Sequence, residues 1–316
     1  MTRGQSDSPF LLCIELPSTT ICRLALAQLT TQPGSGFDVA TRVIADGLAA
    51  SLGQPVIVDN RGGAGGVIAG EIVARAQPDG HTLLSYGPAI WLVPFMRKNV
   101  PYDPLKDFSP ITLAVTAPNV LVVHPSVAAS SVRELIALAK AKPGQLNYGG
   151  GNTGSSAHLA AELFKSMAGV NLVHVPYKST AQSVIALIAG EVQVMFPNAT
   201  SISPHLKSGK LKALAVTTAA PTPLLPGMPT VAASGLPGYE SSATHGIFAP
   251  AGTPATIITR LNQEIVKVLN RPEVKEKFLS HGTMVVGSSP GQLTAVVKGE
   301  MATSGKLIRE LGIRGD

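Results

Sequence analysis

The chain has 316 residues, of which 45% are hydrophobic and only 14% are charged, with 32 glycines and 25 prolines. This composition can fill a large core, predicts two lobes and argues against an intrinsically disordered chain. The formal net charge of +6 favours anionic ligands. Because the 25 Lys and Arg are scattered singly among few aromatic residues, we expect no nucleic-acid partner.

The pattern of residues 1–23 indicates a degraded or mis-annotated leader. Ala25-Leu26-Ala27 resembles a signal-peptide cleavage site, but Asp7, Glu15 and Pro17 interrupt the apolar stretch that an export signal needs. We therefore expect no working export signal in the sequence as written. No run of about 18 apolar residues occurs, so we also expect no transmembrane helix.

From about residue 24 the chain alternates between strand and helix patterns. Strands are predicted at 24–31, 56–58 and 81–85, and helices at 39–52 and around 68–73. This βαβαβ order predicts a parallel sheet that is covered on both faces. A polar connection at 101–110 precedes two apolar β-type runs at 111–115 and 120–123.

A second α/β unit begins after residue 123. We predict helices at 132–142, 156–168 and 181–189, and strands at 146–148, 171–175, 192–196 and 211–216. The proline-rich stretch 221–237 is a surface loop with a short helix, 247–249 returns the chain to the first unit, and helices at 257–270 and 293–311 close it. The predicted fold is α/β with two sheet-centred lobes, joined by crossing strands around a ligand cleft. Lobe 1 comprises 24–122 plus 244–316, and lobe 2 comprises 123–243.

The glycine-rich turn from Tyr148 to His158 is the most informative local pattern. It joins a short strand to an apolar-periodic helix, so free backbone N–H groups, two hydroxyls and a positive helix end converge. Such a point favours an anion. A similar turn at Pro33 to Asp38 opens the first helix, so we expect a small carboxylate to be held between the two lobes.

Two partial motifs raise enzyme alternatives. Gly34-Ser35-Gly36 matches half of a dinucleotide fingerprint, but Val39 stands where the third glycine belongs. Residues 287–291 match G-x-S-x-G, but Pro290 follows the serine, which favours a helix N-cap with proline at the first helical position. We therefore expect neither a hydrolase nor a cofactor-binding oxidoreductase, and no catalytic residues.

Metal-ligand spacing is absent from the sequence. The seven histidines form neither H-x-H nor H-E-x-x-H, and Cys13 and Cys22 form no C-x-x-C pair. We expect no metal and no cofactor.

Several residues near the turns have two interpretations. His158 can donate to a ligand carboxylate or satisfy the loop itself, and Asp38 can serve only the dipole of its helix. Tyr177 can be packing and Lys178 can be solvated. The position of Tyr177-Lys178-Ser179 favours a role of its backbone over the ammonium.

Together these runs resemble the substrate-binding receptors of tripartite tricarboxylate transporters. The resemblance extends from about residue 24 to the end. The matching motifs, in order, are Pro33-Gly34-x-x-x-Asp38, Leu52-Gly53-Gln54-Pro55-Val56, Asn60-Arg61-x-Gly63-Ala64-Gly65-Gly66, Pro78-Asp79-Gly80, Asn119-Val120-Leu121-Val122-Val123, Gly151-Asn152-x-Gly154-Ser155-Ser156-x-His158-Leu159, His174-Val175-Pro176-Tyr177-Lys178, Pro229-Thr230-Val231 and Ala249-Pro250-Ala251-Gly252-Thr253-Pro254.

The resemblance implies a periplasmic, two-lobed binding protein of type II-like fold that closes on a small organic acid without catalysis. The implied partners are a small carboxylic acid and the membrane subunits of a transporter, and the protein is expected to be a monomer. The ligand-binding residues assigned in this way are Pro33, Gly34, Ser35, Gly36, Phe37, Asp38, Gly87, Pro88, Asn152, Thr153, Gly154, Ser155, Ser156, His158, Tyr177, Lys178, Ser179 and Asn198.

The sequence departs from the family pattern at several positions. Ser35-Gly36-Phe37 replaces the more usual Gly-Ser-Thr, Ser179 replaces glycine, and His245 stands where an aromatic residue is common. Pro197 replaces an acidic residue before Asn198, which argues against an amino-acid ligand because its ammonium would lack a partner. A sensor of the same fold that signals to a membrane partner remains the alternative to transport.

Overall fold

The structure is a computed structural model, and it describes residues 36–61, 66–151, 154–177 and 179–314. The leader and the predicted strand 24–31 lie outside these ranges. Up to the first crossing the elements are α1 (Gly36–Leu52), α2 (Val67–Ala74), β1 (Leu84–Tyr86), α3 (Ala89–Met96) and β2 (Phe108–Pro118). The middle elements are β3 (Val120–Val123), α4 (Val132–Ala141), β4 (Asn147–Gly149), α5 (Ser156–Ala168), β5 (Val173–Val175), α6 (Thr180–Ala189), β6 (Val194–Met195), α7 (Ala199–Lys207) and β7 (Lys212–Val216). The last elements are β8 (Ser242–Pro250), α8 (Ala255–Leu269), α9 (Pro272–Ser280), β9 (Met284–Val285) and α10 (Pro290–Glu310).

The described strands form two sheets, with strand orders β1-β8-β2-β9 and β5-β4-β6-β3-β7. In the second sheet β4 pairs in parallel with β5 and β6, whereas β3 pairs antiparallel with β6 and β7. Helices flank both sheets, as expected for a two-lobed α/β fold.

The prediction of a parallel first sheet is wrong for the described strands, because all of their pairs are antiparallel. The two crossing strands occupy the centre of this sheet and run in opposite directions, with Phe108 opposite Pro250 and Pro118 opposite Ser242. The predicted strand 56–58 is not a strand among the described residues. Its Val56 and Val58 nevertheless pack against the core.

The chain passes from the first sheet to the second at Asn119. Pro118 ends β2, and the backbone N–H of Val120 donates at 2.9 Å to the carbonyl of Pro197, which follows β6 of the second sheet. The return passage ends at Ser242, where β8 begins, after Ser241 has donated its N–H to the carbonyl of Thr217. The two passages therefore lie next to each other.

Apolar side chains cover both faces of each sheet. In the second sheet, one cluster includes Phe164 of α5 and the other includes Leu187 of α6. In the first sheet, the clusters include Leu48 of α1 and Trp91 of α3. Burying one such side chain contributes about 1.5–3 kcal/mol. Leu159 of α5 belongs to the Trp91 cluster, so this helix also packs against elements of the first sheet.

Three helices were not predicted: α3, α7 and α9. Pro94 lies inside α3 and Pro204 inside α7, and proline normally ends a helical pattern. In α3 the hydroxyl of Tyr102 donates to the carbonyl of Ile90, four residues before Pro94, at 3.2 Å. This bond replaces one that proline cannot make. The short helix predicted within 221–237 is absent, since that described stretch contains only turns and one isolated bridge.

Candidate functional site

The first helix begins at Gly36, and its first turn carries Asp38. The Asp38 carboxylate is buried and accepts from Arg42 Nε at 3.2 Å and Asn60 Nδ2 at 3.1 Å. Arg42 also donates to Asn60 Oδ1 at 2.8 Å. The carboxylate therefore joins the start of α1 to the loop at residue 60. Pro33, Gly34 and Ser35 and the side chain of Phe37 lie outside the described residues.

A buried polar cluster lies one turn further along α1. Thr41 Oγ1 lies 2.9 Å from Ser85 Oγ, which lies 2.6 Å from His245 Nε2. Burial lowers the pKa of His245 to about 3, so the imidazole is neutral at physiological pH. These contacts join α1 to β1 and β8. Gly87 follows β1 directly, where an added Cβ would lie 2.9 Å from the carbonyl oxygen of Thr244.

The second glycine-rich turn forms the N-terminus of α5. Ser155 is the N-cap, and its hydroxyl accepts from the backbone N–H of His158 at 3.3 Å. The N–H of Gly154 donates to His158 Nδ1 at 3.0 Å, while Gly154 itself adopts φ +80°. The side chain of His158 therefore satisfies a group of the loop, as an acceptor of an N–H and not as a donor to a carbonyl. Its donation to a ligand carboxylate stays a prediction.

A second helix N-terminus meets this turn at Gly151. An added Cβ there would lie 3.0 Å from Thr180 Oγ1 and 3.3 Å from Ser155 Oγ. Ser179 caps α6 by accepting from the N–H of Gln182. The positive ends of α5 and α6 therefore lie side by side, which favours an anion more than one helix end does.

Ser183 of α6 was not nominated from the sequence. Its buried hydroxyl donates to the carbonyl of Gly150, and its N–H donates to the carbonyl of Ser179. This side chain ties α6 to the turn before α5. A serine in the first turn of an apolar helix was the only available signal.

Three rings stack behind the turn. His174 lies 4.4 Å from His158 and 4.8 Å from Tyr148 between ring centroids. The Tyr148 hydroxyl donates to Glu162, which also pairs with Lys165 at 2.7 Å. Burial, and secondly the nearby His174, lower the pKa of His158 to about 4. The imidazole is therefore neutral at physiological pH, and its Nδ1 lone pair is available to Gly154.

The turn before α5 touches the helix that follows Gly87 and Pro88. Pro88 is the N-cap of α3, and Met96 ends that helix. An added Cβ on Gly154 would lie 2.7 Å from Met96 Sδ. Thus α3, on the first sheet, lies directly against the anion-favouring turn of the second. Met96 was not predicted as a site residue.

The remaining residues that were predicted to bind the ligand do not all lie near the turn before α5. The half-buried ring of Tyr177 packs against the Leu187 cluster, as the packing interpretation expects. Asn198 is the N-cap of α7, without a capping hydrogen bond from its side chain, and it bridges Asn119. The structure brings Gly154, Ser155, Ser156, His158 and Ser179 together, whereas Asn152, Thr153 and Lys178 lie outside the described residues.

The partial hydrolase motif has a structural role. Ser289 caps α10 by accepting from the N–H of Gln292, whose side chain accepts from the N–H of Ser289. This capping box confirms the N-cap interpretation. Within the described ranges, no group of three His, Cys, Asp or Glu could hold a metal ion. None of the helices described is long and apolar enough to cross a bilayer.

Comparison with known proteins gives the family. The model of the tripartite tricarboxylate transporter family receptor matches residues 40–313. The chain is 39% identical over 279 residues to a UPF0065 protein of Pseudomonas sp. strain P51 from the tcbD-tcbE intergenic region, covering 88% of this chain and 83% of that protein.

Solved structures agree with this match. A Rhodopseudomonas palustris structure described as "R. palustris Rpa4515 with adipate" has a TM-score of 0.81 and 34% identity, covering 96% of this chain and all (100%) of the other. The periplasmic binding protein BugD has a TM-score of 0.77 and 31% identity, covering 93% and 99%. The predicted two-lobed periplasmic-binding-protein fold is confirmed, and this chain belongs to the tripartite tricarboxylate transporter receptor family, a family of solute-binding receptors rather than of enzymes.

Proposed function

We propose that this protein captures a small organic di- or tricarboxylate between its lobes and delivers it to a tripartite tricarboxylate-type membrane transporter. The observation that carries the proposal is the meeting of two helix N-termini, those of α5 and α6, around Gly151. Their dipoles and backbone N–H groups favour a carboxylate without a buried cation. The relative described with adipate supports a dicarboxylate as the ligand.

The proposal includes the location and organisation of the protein. It acts in the periplasm as a monomer, and 24–122 plus 244–316 close against 123–243 about the two crossings. The ligand-binding residues are those nominated from the sequence, with Asp38 and His158 acting through the loops that they hold. A sensor that uses the same cleft to signal to a membrane partner is the second candidate, because it needs the same carboxylate site.

Ligand binding is tested by a panel of mono-, di- and tricarboxylates in a thermal-shift assay. A ligand that binds only the folded state stabilises it by RT ln(1 + [L]/Kd), which gives several degrees at saturating concentration. If no organic acid raises the melting temperature while a nucleotide does, the proposal is wrong.

The position of the site is tested with Ser156→Asp. Ser156 is the first residue of α5, so an acid there suits the helix dipole and preserves the fold. The same charge repels a bound carboxylate, so we expect affinity to fall about tenfold or more. Gly291→Asp adds an acid to the first turn of α10, where an added Cβ meets nothing within 4 Å, and serves as the control. Unchanged affinity in Ser156→Asp would remove α5 from the site.

A further inference from the structure

Asn119 is fully buried at the first crossing between the sheets. Neither Oδ1 nor Nδ2 of its side chain has a hydrogen-bond partner among the described residues. Its carbonyl, by contrast, accepts from both the N–H and the hydroxyl of Thr217, at 3.0 and 2.9 Å. The backbone carbonyl of Asn119 therefore stabilises the crossing, and the side-chain amide takes no part in these hydrogen bonds. A buried amide without partners is rare in folded proteins and requires an explanation.

The direction of this side chain follows from strand alternation. In β3, Leu121 and Val123 face the cluster that contains α5, whereas Val120 and Val122 face the cluster that contains α6 and α7. Asn119 precedes Val120 and therefore shares the face of Leu121. The alternation in the neighbouring strand agrees, since Val194 and Phe196 face the α5 side and Asn198 shares their parity. Asn119 and Asn198 are antiparallel bridge partners and so lie on one face.

The strand register places this amide at the same end of the sheet as the anion-favouring turn. Gly149 of β4 is opposite Met195 of β6, and Met195 is opposite Val122 of β3. The C-terminal ends of β4 and β6 and the beginning of β3 therefore lie at one end of the sheet. The helix α5 begins at this end and packs on the face that Asn119 shares with Leu121. Asn119 thus lies at the same end and on the same face of the sheet as the N-terminus of α5, with β6 between its strand and β4.

We propose that the Asn119 amide is a specificity-determining ligand contact that recognises a hydroxyl group beside a ligand carboxylate. The inference rests on the proposed function and adds the substrate class, 2-hydroxy acids. A carboxylate is only an acceptor and can satisfy Nδ2 alone, whereas a hydroxyl both donates and accepts and can satisfy Oδ1 as well. The helix ends of α5 and α6 take the carboxylate, and Asn119 takes the hydroxyl. Hinge opening at the crossing exposes the amide to the incoming ligand.

The test compares acids that differ only by this hydroxyl. Isothermal titration calorimetry measures the Kd of wild-type protein for malate and succinate, and for 2-hydroxyadipate and adipate. We expect the hydroxylated acid of at least one pair to bind about tenfold or more tightly, because a site built for a hydroxyl leaves its own polar groups unpaired without one. Asn119→Leu, which is similar in size and has no polar group, should abolish this preference.

The control is Thr217→Val, which removes a polar group from the same crossing but leaves the amide in place. Its preference for the hydroxylated acid should equal that of the wild type. If Asn119→Leu does not fold, Asn119→Ala adds no volume and gives the same comparison. Equal wild-type affinities within both pairs, or a preference that survives loss of the amide, would overturn the inference alone. Failure of the wild-type protein to bind any of the four acids, with no shift across the wider panel of carboxylates, would overturn the proposed function with it.

Discussion

The hydroxyl of Thr217 lies 2.9 Å from the carbonyl oxygen of Asn119, where the chain first leaves one sheet for the other. The same hydroxyl lies 2.5 Å from the carbonyl oxygen of Ser241, where the chain returns. A single side chain therefore bridges the two crossings. If the lobes close about these crossings, as proposed, such a bridge would keep the two crossings in register during closure.

Replacing this bridge should destabilise the protein. Thr217→Val keeps the shape but removes the single O–H that lies between the carbonyls of Asn119 and Ser241, so we expect a loss of about 1–2 kcal/mol in the free energy of unfolding. Thr217→Ser keeps the hydroxyl and should lose much less. Urea denaturation of the three proteins measures the difference. Equal stability of Thr217→Val and the wild type would show that the bridge has no energetic role.

The pH dependence of stability should reveal the neutral state of His158. Its pKa is lowered to about 4 in the fold, from 6.5 in the unfolded chain, chiefly by burial. A lowered histidine pKa stabilises the fold fully above pH 6.5, and this contribution is lost as the pH falls towards 4. The contribution is on the order of 3 kcal/mol at most.

Asn is the matched substitution, because its Oδ1 can accept from the N–H of Gly154 as Nδ1 does. His158→Asn should therefore fold, and it should lose less stability than the wild type between pH 6.5 and pH 4. His245 adds to the acid sensitivity of both proteins, since its pKa is also lowered by burial. Denaturation midpoints at a series of pH values measure the slopes. Parallel slopes would show that His158 is not the group that titrates.

Local sequence signals predicted most of the helices and strands between residues 123 and 216. The helix predicted at 156–168 is observed as Ser156–Ala168, because a serine N-cap and Gly169 at φ +60° define its ends. The helix α3 was missed because a tertiary contact, the bond from Tyr102 to the carbonyl of Ile90, compensates for Pro94, and α7 was missed because Pro204 interrupts its helical pattern. The antiparallel first sheet was also missed, since Phe108 pairs with Pro250 and local periodicity carries no information about so distant a partner.

The parts of the site that a local turn forms could be predicted from the sequence. The parts that tertiary packing brings together could not. Glycines followed by a capping serine identify the α5 turn from sequence alone. Met96 and Ser183 reach that turn through tertiary packing, and of the two only Ser183 has a local signal, as a serine in the first turn of an apolar helix. Asn119 does have a local signal, because it is a lone polar residue between two apolar strands.

Glu300 should make the protein less stable at high pH. Its carboxylate accepts from Trp91 Nε1 at 2.8 Å and from Thr244 Oγ1 at 2.9 Å, and burial raises its pKa to about 7. Because the pKa of Glu300 is raised in the fold, the stabilisation from its protonated form is fully present below pH 4.5, the ordinary pKa of the group. This stabilisation is lost as the pH rises through 7. Glu300→Gln should remove this dependence.

The only tryptophan of the chain is Trp91, so its fluorescence reports on Glu300 directly. In the wild-type protein we expect the emission to change with an apparent pKa near 7, because ionisation alters the charge at the indole N–H. In Glu300→Gln the emission should stay constant through neutral pH. A transition that persists in the variant would assign it to another group.

A side chain at Gly154 should lower the affinity for a carboxylate, because Gly154 lies where the two lobes touch. Gly154 adopts φ +80°, and an added Cβ would lie 2.7 Å from Met96 Sδ of α3. Gly154→Ala therefore adds backbone strain of about 1 kcal/mol and a clash that opposes closure of α3 on the turn. Gly53→Ala at φ +66° has the same strain, but its Cβ meets nothing within 4 Å. We expect both variants to lose stability and only Gly154→Ala to lose affinity for a carboxylate, as measured by calorimetry.

The double variant Gly154→Ala with Met96→Ala should recover part of that affinity, because the shorter side chain removes the clash but not the strain. If Gly53→Ala weakens binding as much as Gly154→Ala does, the loss reflects general destabilisation and the contact between α3 and the turn does not limit closure.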